Sequence, residues 1–344
     1  MTEDVLFELR GHAGVITLNR PKALNALNHD MVIAMARQLS VWEIDARVRH
    51  VVIKGAGEKA FCAGGDIRNL YDARQEGVTE GVSDFFMDEY RLNARIKAYP
   101  KPYVALIDGI VMGGGVGVSV HGSHRVGTGN MMFSMPEVGI GFFPDVGGTH
   151  FLPRMPKSTG IYCALSAGRL KQADALATGV LTHAIDGERL AELETALETE
   201  TDVDALLDRF SINPGTSDLL ARADRVDRIF GAGSVAEILA RLDGEADDWS
   251  SKVAGIIRSK SPTSVLIAFE QMRRGAELDF NGCMHLEFRI VNEILRQHDF
   301  YEGVRAVIVD KDQAPKWLPS SLEEVDSAAL AAYFEEPVCG DLTF

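Results

Sequence analysis

Hydrophobic and polar positions follow two regimes along this chain. Through the first two hundred residues, short apolar runs recur between polar turns. Residues 5–10 and 14–19, split by Gly11-His12-Ala13-Gly14, predict a β-hairpin. Residues 51–55 and 103–107 are Val-, Ile- and Tyr-containing runs of the kind buried in parallel sheets, and 124–127 and 131–133 predict shorter strands. Between them the spacing turns helical. Met31, Ala34, Met35, Gln38, Leu39 and Trp42 follow an Asn28 N-cap, and Phe85, Phe86, Tyr90, Ala94 and Ile96 share one face over 83–99. Beyond Lys157 the period is nearly all helical: 158–167, 171–179 and 189–200, with one brief strand at 182–185. After the break at Asn213-Pro214-Gly215, helices are predicted at 217–230, 234–242, 246–259, 262–275, 283–298 and 299–309, then an irregular Pro-containing acidic tail. The pattern therefore predicts an α/β core over 1–200 and a helical C-terminal region over 201–344 packed on it.

The stretch 101–122 organises the core. Its strand is turned by Asp108-Gly109, and Gly113, Gly114 and Gly115 follow in a row before a small-residue segment able to wind into a helix. Glycine lets backbone approach closely or take positive φ, and the first N–H groups of a helix lack intrahelical partners. Such a turn can hold a developing oxyanion, or it can be a tight packing turn without a ligand. A second turn of this kind, Ala63-Gly64-Gly65-Asp66, offers Gly65, with Asp66 suited to a helix start. Downstream, 134–148 is apolar and glycine-rich, and its only charged residues are Glu137 and Asp145. Carboxyl groups in apolar surroundings have raised pKa values and work as acids or bases. The structural alternative makes Glu137 a capping or paired acid and Asp145 an N-cap. Glu89 reads by default as a solvated helix acid. Lys22 reads as a loop cation, exposed or meeting a phosphate.

Composition narrows the ligand. The net charge is −15, from 50 acids and 35 bases, which disfavours nucleic acid and anionic membrane surfaces as partners. The start, MTEDVLFELR, lacks a basic-then-apolar signal pattern, and Asp108 with its neighbouring glycines interrupts the one long apolar stretch. Cys62, Cys163, Cys283 and Cys339 are far apart, which fits reduced thiols in a cytoplasm and no zinc site. The chain carries no Gly-x-Gly-x-x-Gly, Walker, Gly-x-Ser-x-Gly or His-Glu-x-x-His motif, and its nine histidines show no metal-like spacing. Bare N–H donors with two carboxylates and no metal motif point to chemistry at a carbonyl.

These residues resemble the crotonase (enoyl-CoA hydratase/isomerase) superfamily over roughly residues 5–200. The resemblance rests on Asn19-Arg20-Pro21 with Asn25-Ala26-Leu27, on Phe61-Cys62-Ala63-Gly64-Gly65-Asp66 and on Met112-Gly113-Gly114-Gly115. Within it, Phe133-Ser134-Met135-Pro136-Glu137, Gly141-Phe142-Phe143-Pro144-Asp145-Val146-Gly147-Gly148 and Glu302-Gly303-Val304-Arg305-Ala306 look most like the 3-hydroxyisobutyryl-CoA hydrolases. The resemblance implies a spiral of ββα turns, an oxyanion hole from the N–H groups of Gly65 and Gly114, and working carboxylates at Glu137 and Asp145. It implies that Glu89 contacts the substrate hydroxyl, and that CoA lies near Lys22, Ala23, Leu24, Ala63, Asp66 and Ile67. CoA would belong to the substrate, so no separate cofactor or metal is expected; relatives assemble as trimers or hexamers, so a homo-oligomer is expected. Hydratases of the family use a second glutamate at the position occupied here by Gly117. That departure favours hydrolysis of a short 3-hydroxyacyl-CoA, 3-hydroxyisobutyryl-CoA of valine catabolism above all, in the cytoplasm. The alternatives are an enoyl-CoA hydratase using Glu137 with Asp145, and a non-catalytic acyl-CoA-binding protein. Whether Glu137 is nucleophile or general base stays open.

Overall fold

The computed structural model describes residues 3–77, 81 and 83–344. The chain forms two compact units, Met1–Asp66 with Arg91–Ser134 and Arg169–Ala221, and Ile67–Tyr90 with Met135–Gly168 and Arg222–Phe344. Segments 67–90 and 135–168, which precede residue 200, thus cluster with the helices from 222 onward.

The first unit holds the strands β1 (Val5–Arg10), β2 (Ala13–Leu18), β3 (His50–Gly55), β4 (Ala60–Cys62), β5 (Tyr103–Ile107), β6 (Ile110–Met112), β7 (His124–Gly127), β8 (Met132–Ser134) and β9 (His183–Ala184). A six-stranded sheet runs β1-β2-β3-β5-β7-β9 and a three-stranded sheet runs β4-β6-β8. Among these nine strands β1 and β2 pair antiparallel, with Val5 opposite Leu18, and the other strand-to-strand ladders are parallel. Three times in succession the chain takes one strand of the large sheet and then one of the small: β3 and β4, β5 and β6, β7 and β8. This is the expected spiral. Parallel strands covered on both faces require continuous apolar sequence, and β5 is buried at all five positions. One face of the large sheet, with Val15, Val52, Val104 and Val126, packs on Leu193, Leu197, Leu206 and Phe210. The helix His29–Ile44 starts as its sequence predicts, Asn28 Oδ1 accepting from the Met31 N–H at 2.9 Å.

The second unit is helical. Ser234, Asp247, Ser261 and Asp279 each cap a helix through a side-chain oxygen: Val235–Glu245, Asp248–Arg258, Pro262–Gly275 and Phe280–Ile294. The last of these begins earlier than the expected 283 because Asp279 accepts from the Gly282 N–H at 2.7 Å. The stretch expected at 299–309 is a helix, His298–Val304, followed by a π-turn, Arg305–Val309. The tail, expected to be irregular, contains a short helix, Ser327–Ala332, capped by Asp326.

Close backbone approach fixes the glycine turn after β6. A Cβ at Gly115 would stand 2.3 Å from the Cys62 carbonyl oxygen, a contact no relaxed structure tolerates. Gly115→Ala should therefore destabilise the protein by about 1–3 kcal/mol. Gly129→Ala, where nothing lies within 4 Å of the added atom, should change little. Thermal unfolding of the two variants checks this, and equal midpoints would refute the packing argument.

Candidate active site

Two sets of site residues are built separately, one in each unit. In the first, β4 and β6 lie side by side and parallel, so the residues leaving both carboxyl ends emerge together. Gly64 takes φ +126°, and a Cβ there would lie 3.7 Å from the Met112 carbonyl oxygen and 4.0 Å from Gly113 Cα. Gly113 takes φ +47° and leads into a single helical turn, Gly114–Gly117. Gly65 forms a parallel bridge with Leu27 in which Leu27 donates to Gly64 O at 2.8 Å and Asp66 donates to Leu27 O at 2.7 Å. That pattern uses the Gly64 carbonyl and the Asp66 N–H and leaves the Gly65 N–H outside it. Among the described residues, neither the Gly65 nor the Gly114 N–H has an acceptor. The helix is only four residues long, so the bare N–H groups, rather than a long macrodipole, supply the polarity.

The loop of residues 20–28 is stitched to the same turn. The Ala63 N–H donates to Leu24 O at 3.0 Å. Asn25 Nδ2 donates to the carbonyls of Ala56 and Ala60, at 2.9 and 2.8 Å. Lys22 and Ala23 are exposed on the turn Pro21–Ala23, and Leu24 closes it at φ +52°. Asp66 departs from its expected role as a helix start. Its carboxylate accepts from Arg20 at 2.8 Å, and the helix Arg68–Gln75 begins after Ile67 without a side-chain cap. Ile67 itself falls in the second unit.

The second unit brings Glu89, Glu137 and Asp145 together, with relative exposures of 2%, 6% and 4%. Glu89 is therefore not a solvated acid: it lies beside Tyr90 on a face that also buries Phe86. Glu137 opens the turn Glu137–Ile140. Both of its carboxyl oxygens, and Oε1 of Glu89, are buried without a partner from another residue among those described. Asp145 caps no helix through its side chain; Oδ2 accepts from the Tyr90 hydroxyl at 2.9 Å. Rings close over this group: Phe86 stacks on Phe142 at 5.4 Å, and Phe142 meets Phe143 at 4.8 Å and Phe300 at 5.2 Å.

Burial dominates the electrostatics. It raises the Glu137 carboxyl well above its ordinary range, and the nearby Asp145 raises it further. Burial and Asp145 do the same to Glu89. Asp145 is pushed up to about 7 by burial, moderated by the Tyr90 hydroxyl and by its own backbone. A fourth carboxyl, Glu287, belongs to the same field and is pushed up to about 8, by burial first and Asp145 second. Tyr90 and Glu287 are the two members of this group that sequence pattern does not single out. Helical spacing marks Tyr90 as core, although a buried phenol needs a hydrogen-bond partner. Glu287 lies on the buried stripe Cys283, Met284, Glu287, Ile290, Val291, Ile294, and an acid on such a stripe was the signal. Asn93, on the helix Asp84–Lys97, is also buried in its unit, and neither amide atom has a partner among the described residues.

The enoyl-CoA hydratase/isomerase family model matches residues 13–334. The chain belongs to this family. It is 47% identical over 332 residues to a Danio rerio protein named 3-hydroxyisobutyryl-CoA hydrolase, mitochondrial, covering 94% of this chain and 87% of that one. A Rattus norvegicus relative of the same name is 44% identical, covering 100% and 91%. Two solved structures superpose throughout. A Mycobacterium thermoresistibile protein titled carnitinyl-CoA dehydratase has a TM-score of 0.94 at 42% identity, covering 100% of this chain and 99% of that one. A Rhodobacter sphaeroides protein titled enoyl-CoA hydratase has a TM-score of 0.93 at 37% identity, covering 99% and 100%. The mitochondrial relatives overturn the cytoplasmic placement expected from the cysteines. All four thiols are free, as expected, but reduced cysteine reports a reducing compartment and not which one.

The raised Asp145 pKa has a consequence for stability. Between the ordinary carboxylate range near 4 and about 7, the folded state holds a proton that the unfolded chain has released. The stabilisation is full below that window and is lost as pH rises through it. Asp145→Asn keeps an acceptor for Tyr90 and carries no charge. It should raise the unfolding midpoint relative to the parent by ~2 °C more at pH 8 than at pH 4.5. A difference independent of pH in thermal unfolding would contradict the buried-acid assignment.

Proposed function

We propose that this protein hydrolyses a short 3-hydroxyacyl-CoA thioester, 3-hydroxyisobutyryl-CoA of valine catabolism, to the free hydroxy acid and CoA. The observation that carries the reading is Glu137, a buried carboxyl group with both oxygens unpartnered among the described residues. Native proteins pair their buried polar atoms, and an exception of this kind is retained for chemistry. The names of the relatives, hydrolases at 42–47% identity, supply the substrate.

In this reading the N–H groups of Gly65 and Gly114 receive the thioester oxygen as it gains negative charge. Glu137 either adds to the carbonyl carbon, giving an anhydride that water then cleaves, or removes a proton from the attacking water. The C–S bond breaks, and the sulfur leaves with its electron pair and takes a proton. Asp145, titrating at about 7 and held by Tyr90, is suited to passing that proton or orienting the water. Glu89 would accept from the 3-hydroxyl through its unpartnered oxygen. Lys22, Ala23, Leu24, Ala63 and Ile67 would meet CoA, while Asp66, engaged by Arg20, braces the loop. A homo-oligomer, trimeric or hexameric, belongs to the same reading and is measurable by sedimentation.

The titles of the solved relatives favour a second reading, addition of water to an enoyl-CoA. Syn addition needs two placed acid/base groups, and Gly117 offers no side chain where family hydratases carry one of them. Asp145 is shorter by a methylene, and misplacement by ~1 Å costs roughly 10²-fold.

Glu137→Gln should lower thiol release from 3-hydroxyisobutyryl-CoA by at least ~10²-fold while acyl-CoA still binds. Because burial raises the Glu137 pKa, parent activity should fall on acidification well before the ordinary carboxylate range is reached. Crotonyl-CoA, followed by loss of its enoyl absorbance, should be hydrated poorly. Rapid hydration with no thiol release would promote the hydratase.

A further inference from the structure

The turn that carries Asp145 is under backbone strain. Val146 takes φ +48°, which a β-branched residue rarely adopts, and Gly147 follows at φ +85°. A tight turn of this kind can face backbone N–H groups into a concave anion seat. Here a side chain occupies it. Glu287, fully buried on the helix Phe280–Ile294, accepts from the Gly147 N–H through Oε2 at 2.8 Å and from the Thr149 N–H through Oε1 at 2.9 Å. The remaining N–H of the turn, from Gly148, returns to the Asp145 carbonyl at 2.8 Å. On the helix Pro262–Gly275, Gln271 Nε2 donates to Pro144 O and Thr149 Oγ1, both at 2.6 Å, and holds the two ends of the same segment.

We propose that Glu287 is a positioning residue for the hydrolysis set out above, on which this role rests: its carboxylate clamps the strained turn that presents Asp145 and sets a like charge in the field of Glu137. Other groups share that field. Glu89, Tyr90 and Glu137 all feel Glu287. Cys283 lies one turn earlier on the same helix, with Arg154 and Asp279 acting on it. Among the described residues no cation pairs with Glu287; its direct partners are the Gly147 and Thr149 N–H groups and the Thr149 hydroxyl. A carboxylate serves both backbone donors. An amide offers one acceptor and no charge, and would turn its own NH₂ toward one of them.

Glu287→Gln and Glu287→Asp separate clamp from charge. In Glu287→Gln, kcat for 3-hydroxyisobutyryl-CoA should fall roughly 10-fold with KM within about 2-fold, as a misplaced group rather than a lost contact requires. The acid limb of the pH profile, carried by Glu137, should move down by about half a unit or more, because a like charge acting on Glu137 has gone. In Glu287→Asp the charge remains but the reach is a methylene shorter. There kcat should fall while the limb stays near its parent position. A residue that merely stabilises the fold would lower the melting temperature and leave both limbs unmoved; that result, or an unchanged kcat in either variant, overturns the proposal. Should Glu287→Gln fail to fold, parental kcat in Glu287→Asp overturns it alone. Thiol release by the parent tests the hydrolase reading itself. If the parent is inactive, the melting temperature of the apoprotein against pH decides. A raised carboxyl pKa makes stability fall as pH rises between about 5 and 8, and Glu287→Gln should flatten that fall. An unaltered slope counts against Glu287.

Discussion

Four carboxyl groups buried in one unit without a paired cation is the constraint on which the site depends. Burial raises the pKa of all four, Asp145 raises those of Glu89, Glu137 and Glu287 further, and no ion pair joins any of them among the described residues. Taking a charged group out of water is costly unless hydrogen bonds replace the lost solvation. The protein distributes that replacement unequally. Glu287 receives two backbone N–H groups and the Thr149 hydroxyl, Asp145 one phenol hydroxyl, and Glu137 nothing from another residue. The gradient separates roles among groups of the same type. The best-solvated acid is suited to structure, the intermediate one to passing protons near neutrality, and the unpartnered one to reaction.

Acids held this way need a stiff surround, and the C-terminal helices provide it. The Glu137 turn meets the helix His298–Val304 at backbone distance: a Cβ at Gly141 would lie 2.1 Å from the Asp299 carbonyl oxygen, and one at Gly303 would lie 2.3 Å from that of Ile140. The Ser261 N–H donates to Val138 O at 3.3 Å. The Asp145 turn is held from two further helices through Gln271 and Glu287. Sequence after residue 222 thus carries no reacting group of the proposed mechanism, yet it fixes the two turns that do. Interior packing of this density transmits small displacements, so changes far along the chain reach the acids.

Much of this was legible in the residues. The run 103–107 is a buried parallel strand because nothing in it needs water, and the glycine turns after β4 and β6 stand where strand meets turn. Asn28 was readable as a cap because its oxygen has one short-range use. The departures share a cause. Local sequence suits Asp66 to a helix start and allows Asp145 one as its structural alternative, but both find partners distant in sequence: Arg20, 46 positions away, and Tyr90, 55 away. Glu89 looked solvated because local period says which face a residue occupies, not what covers that face. Compartment was misjudged because a free thiol reports redox conditions alone.

Fold likeness leaves the chemistry undecided. The solved structures at TM-scores of 0.94 and 0.93 carry dehydratase and hydratase titles at 42% and 37% identity, whereas relatives at 44–47% identity are named hydrolases. A shared scaffold offers each the same strand ends and N–H turns, so the distinction must sit in side chains. Two positions bear on it here. Gly117 withholds a carboxylate from the turn after β6, and Asp145 supplies one from a strained loop that Glu287 and Gln271 hold rigid. Water addition across a double bond needs two groups meeting adjacent carbons, while thioester cleavage needs one group at the carbonyl and a proton for the departing sulfur. The second demand is met by one unpartnered carboxyl beside another titrating at about 7. The proposed hydrolysis therefore follows from how the acids are solvated more than from the spiral that the family shares.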